Sequence, residues 1–393
     1  MRGFSLIYIT HDQADDTEKE LLNNPSQLKT MTKPQGLQMG PSLQKSRDGL
    51  YMTPRIVNQS TAALYRKHWS PIPVAIPFRP HQCTNFGHVL GDNVFAMFRI
   101  LKNFGLYHPE LQFLPIRADC VNKDECGDRC SMLSQLFDPF LKGPVGTPFH
   151  VKGIFRNYYK AALDISAKQH QQMKLNPSSL PLLCFENVLS GLYYYADHGE
   201  DPARHGDGFN TFLTGSGDKL LEFRDQYMIR LGLDPNRHLS NRLCQVGVES
   251  ASILIVPRRP DSNRISGWHD DKLIAELQKT LPNENVTVVD FSIHGTRAQV
   301  KLASTAKVLV SMAGGASYLA WFLAPGASAL VLKRWGTLND AFIWENFPYI
   351  KKSYFSATSD SASNRTEEVF DYVNMSKSVE HLVQSYDRRF CEK

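Results

Sequence analysis

Beyond about residue 240 the apolar and polar positions fall into a regular alternation. Residues 252–256 (SILIV) form a short apolar run and 270–281 carry apolar positions at helical spacing. A second run follows at 286–289 (VTVV), a second helical stretch at 297–304, and a third run at 308–312 (VLVSM). Short runs rich in β-branched residues and bounded by polar turns suit strands buried on both faces of a parallel sheet. The stretch 306–332, AKVLVSMAGGASYLAWFLAPGASALVL, repeats the unit in compact form. It reads as a strand, a break at Gly314-Gly315, an apolar helix over 316–323, a stop at Pro325-Gly326 and a strand over 329–332. Strand and helix in alternation predict a doubly wound α/β sheet with ligands at the carboxyl ends of its strands.

The preceding two-thirds is less regular. Residues 1–75 are rich in Gln, Asn, Ser, Lys and Pro without a sustained apolar period, and read as an irregular arm or stem with a strand near 49–56. Order improves at 72–78. From His88 onward Val89, Leu90, Val94, Met97, Phe98 and Leu101 fit one helical face, with Gly105 placed as a C-cap. Residues 111–116 read as a strand, 130–140 as a helix, 180–192 as a second apolar strand and 212–231 as a long helix. Gly232-Leu233-Asp234-Pro235 ends that helix and suits a domain boundary. The end of the chain is polar and then amphipathic, with Val379, Leu382, Val383 and Tyr386 at helical spacing. The division expected is an arm at 1–75, one domain at 76–236, the alternating domain at 237–350, and a polar segment with a terminal helix at 351–393 packing across the domain junction.

Composition narrows the class. A chain of 393 residues with 42% hydrophobic and 21% charged residues can bury a substantial core. Its net charge of +5 is small for this length and comes with no basic block, so charge makes no case for nucleic acid or a membrane surface as partner. The seven cysteines lack a paired C-x-x-C pattern. Cys120, Cys126 and Cys130 cluster in one polar loop and fit either a loop-stapling disulfide or a thiol-rich metal site; no nearby histidine completes a tetrahedral set, which favours the disulfide. Sequons at Asn58, Asn285, Asn364 and Asn374 give weak support for a secretory compartment. The opening MRGFSLIYIT is too short for a transmembrane helix and marginal as a signal peptide.

Three groups of residues could carry chemistry. A glycine turn at a helix start lets backbone N–H groups approach an anion, with the helix dipole adding to the attraction. Gly314 and Gly315 therefore form a candidate diphosphate cradle, while the alternative is that they only let helix and strand pack closely. Arg258, Arg259 and Arg264 follow the carboxyl end of the strand at 252–256, and guanidinium forks match phosphate oxygens, although a solvated basic loop is the plainer reading. His88 and Asp92 stand four apart on a helix, as a base with its positioning partner or as a surface or capping pair. In the loop 197–209, His198, His205 and Asp207 could ligate a metal, but polar residues between elements are the commoner explanation.

Four blocks, FGHVLGD (86–92), LLCFENVLSGL (182–192), ILIVPRRPDSNR (253–264) and VLVSMAGGASYLAWFLAPGASALVL (308–332), occur in the order and spacing of family 61 glycosyltransferases, and the chain resembles that family over roughly 75–350. The resemblance implies a GT-B architecture, with two Rossmann-like domains facing across a cleft. It implies an inverting transfer of a GlcNAc, xylose or arabinose class sugar from a UDP-sugar to a protein-linked or polysaccharide hydroxyl, without a metal or other cofactor. It implies a location in the Golgi or endoplasmic reticulum lumen, with a membrane met only through an anchor outside these residues. Arg258 would be the main phosphate clamp, helped by Arg259 or Arg264, and the turn Ser311, Ala313, Gly314, Gly315, Ala316 and Ser317 would hold ribose and diphosphate. Asp92 would be the base for the acceptor hydroxyl and His88 its positioning partner. The family's usual turn is His-Gly-Ala, whereas this chain has Ala313-Gly314-Gly315, which removes one imidazole and leaves open a protein that keeps the fold and binds nucleotide or glycan without turnover.

Overall fold

The structure, a computed structural model, describes residues 7–9, 55–57, 66–69, 74–78, 86–103, 105–107, 113–117, 136, 181–188, 217–236, 251–257, 268–290, 293–333, 349–359 and 368–385. The chain separates into two compact units, Met1–Thr84 with Asp92–Tyr195, and Asn85–Gly91 with Ala196–Lys393.

In the first unit β1 (Ile7–Ile9) pairs in parallel with β2 (Arg55–Val57). Strands β3 (Arg66–Trp69) and β4 (Val74–Phe78) follow. Helix α1 is α-helical over Phe86–His88, π-wound over Val89–Phe95 and α-helical again over Ala96–Asn103, and the chain passes from the second unit to the first within it. The apolar face read from the sequence is buried at Val89, Leu90, Val94, Met97, Phe98 and Leu101. Gly105 adopts φ 65° and closes the helix through Gly105 N–H to Lys102 O and Leu106 N–H to Leu101 O. Strand β5 (Phe113–Arg117) pairs with β4 on one side. The apolar run expected as one strand over 180–192 instead contains β6 (Pro181–Cys184), paired with β3, and β7 (Asn187–Val188), paired with β4. The exposed Glu186 sits in the bend between them.

The second unit carries the regular alternation. Helix α2 (Gly217–Arg230) ends at Gly232, whose φ of 68° only glycine adopts freely. After it come β8 (Ala251–Val256), α3 (Asp270–Thr280), β9 (Asn285–Val288), α4 (Thr296–Ala303), β10 (Val308–Met312), a 3-10 helix (Gly315–Phe322) and β11 (Ser328–Lys333). Strand β12 (Lys351–Ser356), the short pair β13 (Thr358–Ser359) with β14 (Glu368–Val369), and α5 (Tyr372–Gln384) close the chain. Five strands form one wholly parallel sheet in the order β12, β11, β10, β8, β9. β12 lies past the boundary expected at 350, so the sheet is one strand wider than the sequence suggested.

One side of this sheet is packed by Ile253, Ile255, Val308, Val310, Leu330 and Leu332 against Leu273 and Leu277 of α3 and Met375, Val379 and Leu382 of α5. The terminal helix is thus a layer of this unit's own core. Asp371 caps it, accepting from Asn374 N–H. The 3-10 helix is buried from Ser317 to Phe322 and is packed by α2, where Phe223 meets Trp321 edge-on and Tyr227 lies against Phe322. An α-helix was expected for this segment. Its winding is the tighter 3-10 form, with Ser317 N–H bonded to Gly314 O at its start and Leu323 N–H to Ala320 O at its end.

Candidate functional site

Strand β8 is followed in sequence by β9 on one side of it and by β10 on the other. The direction of winding therefore reverses between β8 and β10, and crevices at such a reversal, outside the carboxyl ends of the strands, are where open α/β sheets bind ligands. Val256, the last residue of β8, is in register with Ser311 of β10. The chain beyond Val256 enters Pro257 and Arg258, and the chain beyond Ser311 enters the glycine turn.

The turn is built by its backbone. Ala313 N–H donates to Leu332 O at 2.9 Å, extending the sheet by one bond. Gly314 then takes φ 140° and ψ −165°, a region that side chains exclude. Among the described residues a Cβ placed on Gly314 would meet nothing within 4 Å. Backbone conformation accounts for this glycine, and no described residue crowds it. Met312 to Ala316 are half-buried between the buried Ser311 and Ser317. Among the described residues the N–H groups of Gly314, Gly315 and Ala316 have no acceptor. Successive free N–H groups at the start of a helix make an anion-binding concavity.

The two serines expected to touch a donor are engaged elsewhere. Ser311 is 2% exposed and its Oγ donates to Met312 O at 3.1 Å. Ser317 is 1% exposed, and both its Oγ (2.6 Å) and its N–H (3.1 Å) donate to Gly314 O. Their bonds lie within the turn, and the turn's groups without a partner among the described residues are main-chain amides.

Close packing does explain the glycines of FGHVLGD. A Cβ on Gly87 would lie 2.5 Å from the Tyr318 ring and 3.1 Å from Gly315 Cα, and one on Gly91 would lie 3.0 Å from the same ring. The first turn of α1 is thus laid directly on the start of the 3-10 helix, which puts position 88 beside the glycine turn. Asp92 falls in the π-wound stretch, at the point where the chain enters the first unit. Windings of this type occur often at functional sites. The side chains of His88 and Asp92, and the whole of Arg258, Arg259 and Arg264, lie outside the described residues.

At the far end of the 3-10 helix stands a buried polar group that sequence reasoning missed. Arg224 of α2 is 1% exposed; its Nε donates to Leu323 O at 2.9 Å, Nη2 to Pro235 O at 3.3 Å, and Nη1 pairs with Asp225. Desolvation raises the Asp225 carboxyl above its ordinary pKa, and the Arg224 charge and hydrogen bond oppose that rise. Tyr349, held well above the ordinary phenol range by burial, donates its hydroxyl to Trp321 O at 2.8 Å. An arginine inside an otherwise amphipathic helix gives no signal of this role until its neighbours are known.

At the start of α3, Asp270 accepts from the Trp268 indole, and desolvation pushes its carboxyl up more than that bond lowers it. Among the described residues no group of three or more His, Cys, Asp or Glu could hold a metal, and no helix is long and apolar enough to cross a membrane. The cysteine loop 120–130 and His198, His205 and Asp207 lie outside those residues. Of the sequons, Asn285 is exposed at the start of β9 and Asn374 is exposed in the first turn of α5, with its Nδ2 donating to Asp371; Asn58 and Asn364 are not described.

A wholly parallel sheet whose strand order reverses beside a glycine turn is a doubly wound α/β fold. The family model for glycosyltransferase 61 matches residues 86–330, and the chain belongs to that family: it is a glycosyltransferase. No curated protein matches the sequence. Among solved structures the chain is similar to a family 9 glycosyl transferase of Veillonella parvula DSM 2008, at 10% identity over 81% of this chain and 97% of that one, with a TM-score of 0.36. It is also similar to TibC, a dodecameric iron-containing glycosyltransferase of enterotoxigenic E. coli H10407, at 15% identity over 77% and 68% of the two chains with a TM-score of 0.30. A TibC heptosyltransferase structure holding ADP-D-beta-D-heptose aligns at 12% identity over 82% and 78%, with a TM-score of 0.32.

Proposed function

We propose that the crevice between the carboxyl ends of β8 and β10 binds the diphosphate of a UDP-sugar. The observation that carries this reading is the strand order. It brings the chain leading to Arg258 and the three free amides of Gly314, Gly315 and Ala316 to adjacent positions at the winding reversal. In this reading the family's two-domain GT-B cleft places the acceptor opposite the donor. Asp92 takes the proton from an acceptor hydroxyl while that oxygen attacks the anomeric carbon from the face opposite the diphosphate. The glycosyl–oxygen bond breaks with inversion, and the electron pair leaves on UDP. Arg258, with Arg259 or Arg264, and the turn amides neutralise the charge that develops there, so the step needs no metal. His88, one residue from Gly87 and its contact with Gly315, positions Asp92 or a donor phosphate. The sugar is of the GlcNAc, xylose or arabinose class, the acceptor a protein-linked or polysaccharide hydroxyl, and the compartment the secretory lumen.

Ala313 favours a second reading, a member that binds nucleotide or glycan without turnover. Donor hydrolysis and UDP titration over a panel of UDP-sugars separate the two. The first reading expects turnover by the wild type, UDP affinity reduced about tenfold or more in Arg258→Ala, and turnover lost with UDP binding retained in Asp92→Ala. Binding without turnover of any donor selects the second reading; no binding at all removes both.

A further inference from the structure

An unbroken 3-10 helix of eight residues is uncommon, because its hydrogen bonds are poorer than those of an α-helix and runs beyond three or four residues usually revert. Here both ends are held by side chains. At the start, Ser317 gives two bonds to Gly314 O. At the far end, Tyr349 and Arg224 take the carbonyls of Trp321 and Leu323, and Arg224 ties that end to Asp225 within α2 and to Pro235 beyond it. Tyr318 and Trp321 are closed in by Gly87, Gly91 and Phe223.

The winding matters to the glycine turn because it sets a length. A 3-10 helix rises about 2.0 Å per residue and an α-helix about 1.5 Å, so eight residues span about 4 Å more in the tighter form. With its far end anchored, relaxation to α-winding would draw Gly314, Gly315 and Ala316 back from the carboxyl edge of β10 by about that distance. It would also break the bond from Ser317 N–H to Gly314 O that shapes the turn. We infer that Arg224 and Tyr349 are positioning residues for donor binding: by fixing the last carbonyls of the 3-10 helix they keep its opening amides presented at the winding reversal. This rests on the reading of the turn as the diphosphate site, and adds to it residues at the opposite end of the helix.

The test uses the full chain with Tyr349→Phe, which keeps the ring and drops the hydroxyl, and Arg224→Met. Val379→Ala, in the α5 side of the core, serves as a control matched for loss of melting temperature. Amide exchange of peptides covering 313–319 and calorimetric titration with UDP are measured well below the melting temperature of each variant. The expected result is faster exchange across 313–319 and UDP affinity lower by about tenfold or more in Tyr349→Phe or Arg224→Met, with neither change in Val379→Ala. Wild-type exchange and affinity in both clamp variants overturn the inference, as does an equal loss in the control. If the wild type binds no UDP, the donor-site reading fails, and exchange across 313–319 still decides whether the clamp sets the turn.

Discussion

Gly314 is the residue on which the candidate site turns. Its backbone conformation disfavours other residues, yet none of the described residues crowds its missing side chain. Gly314→Ala should therefore cost about 1–3 kcal/mol in strain without a steric clash, and weaken UDP binding by displacing the amides beside it. Urea unfolding and UDP titration on the same preparation measure both, and a variant with wild-type stability and affinity would show that the conformation is dispensable. Gly87 behaves oppositely, since its Cβ would drive into Tyr318. The sequence could not tell these roles apart. Both readings of a glycine, backbone freedom and close approach, are written with the same letter, and they separate only once φ and the neighbours are known. Ser311 and Ser317 were legible as members of the turn but not as inward-facing ones, because a hydroxyl's direction depends on which carbonyls the fold leaves within reach.

At the scale of elements, short β-branched runs and helical spacing were enough to place β8, α3, β9, α4, β10 and β11 close to where they lie. Each is a local pattern that its tertiary surroundings support. Two elements were misread for physical reasons. The 3-10 helix carries the apolar content of an ordinary buried α-helix, and the carbonyls at its far end are held by Arg224 and Tyr349 from elsewhere in the chain. The π-wound stretch of α1 keeps a sequence that fits an α-helical face. Asp270, at the start of α3, gives a prediction at this scale. Its folded pKa is raised above the ordinary 3.8 by desolvation, so the folded chain holds the proton more tightly than the unfolded one. That contribution favours folding below the ordinary pKa and is lost as pH rises through the raised folded value. Asp270→Asn keeps an oxygen for the Trp268 indole and removes the charge. Its urea midpoint relative to wild type should therefore climb between about pH 3 and pH 7; a difference that stays flat or falls over that window would rule the desolvation account out.

For the whole molecule, the family was legible in four spaced blocks, while the feature that joins two of them was not. Strand order is a non-local property, and nothing in ILIVPRRPDSNR or VLVSMAGG states that β8 and β10 are neighbours with β9 outside them. That adjacency sets the end of β8, which leads in sequence to Arg258, beside the end of β10, which leads to the glycine turn some 50 residues further along the chain. A fifth strand, β12, and the helix α5 complete the same unit, so the sheet that presents the site is covered by the last elements of the chain.

The central claim is that the free amides of Gly314, Gly315 and Ala316 hold the diphosphate of the donor. Amide hydrogen exchange of the wild-type chain with and without saturating UDP measures those amides directly. The account predicts that exchange at these three residues slows on UDP binding, more than at the core strands. UDP that binds without slowing them, or that does not bind, would contradict it.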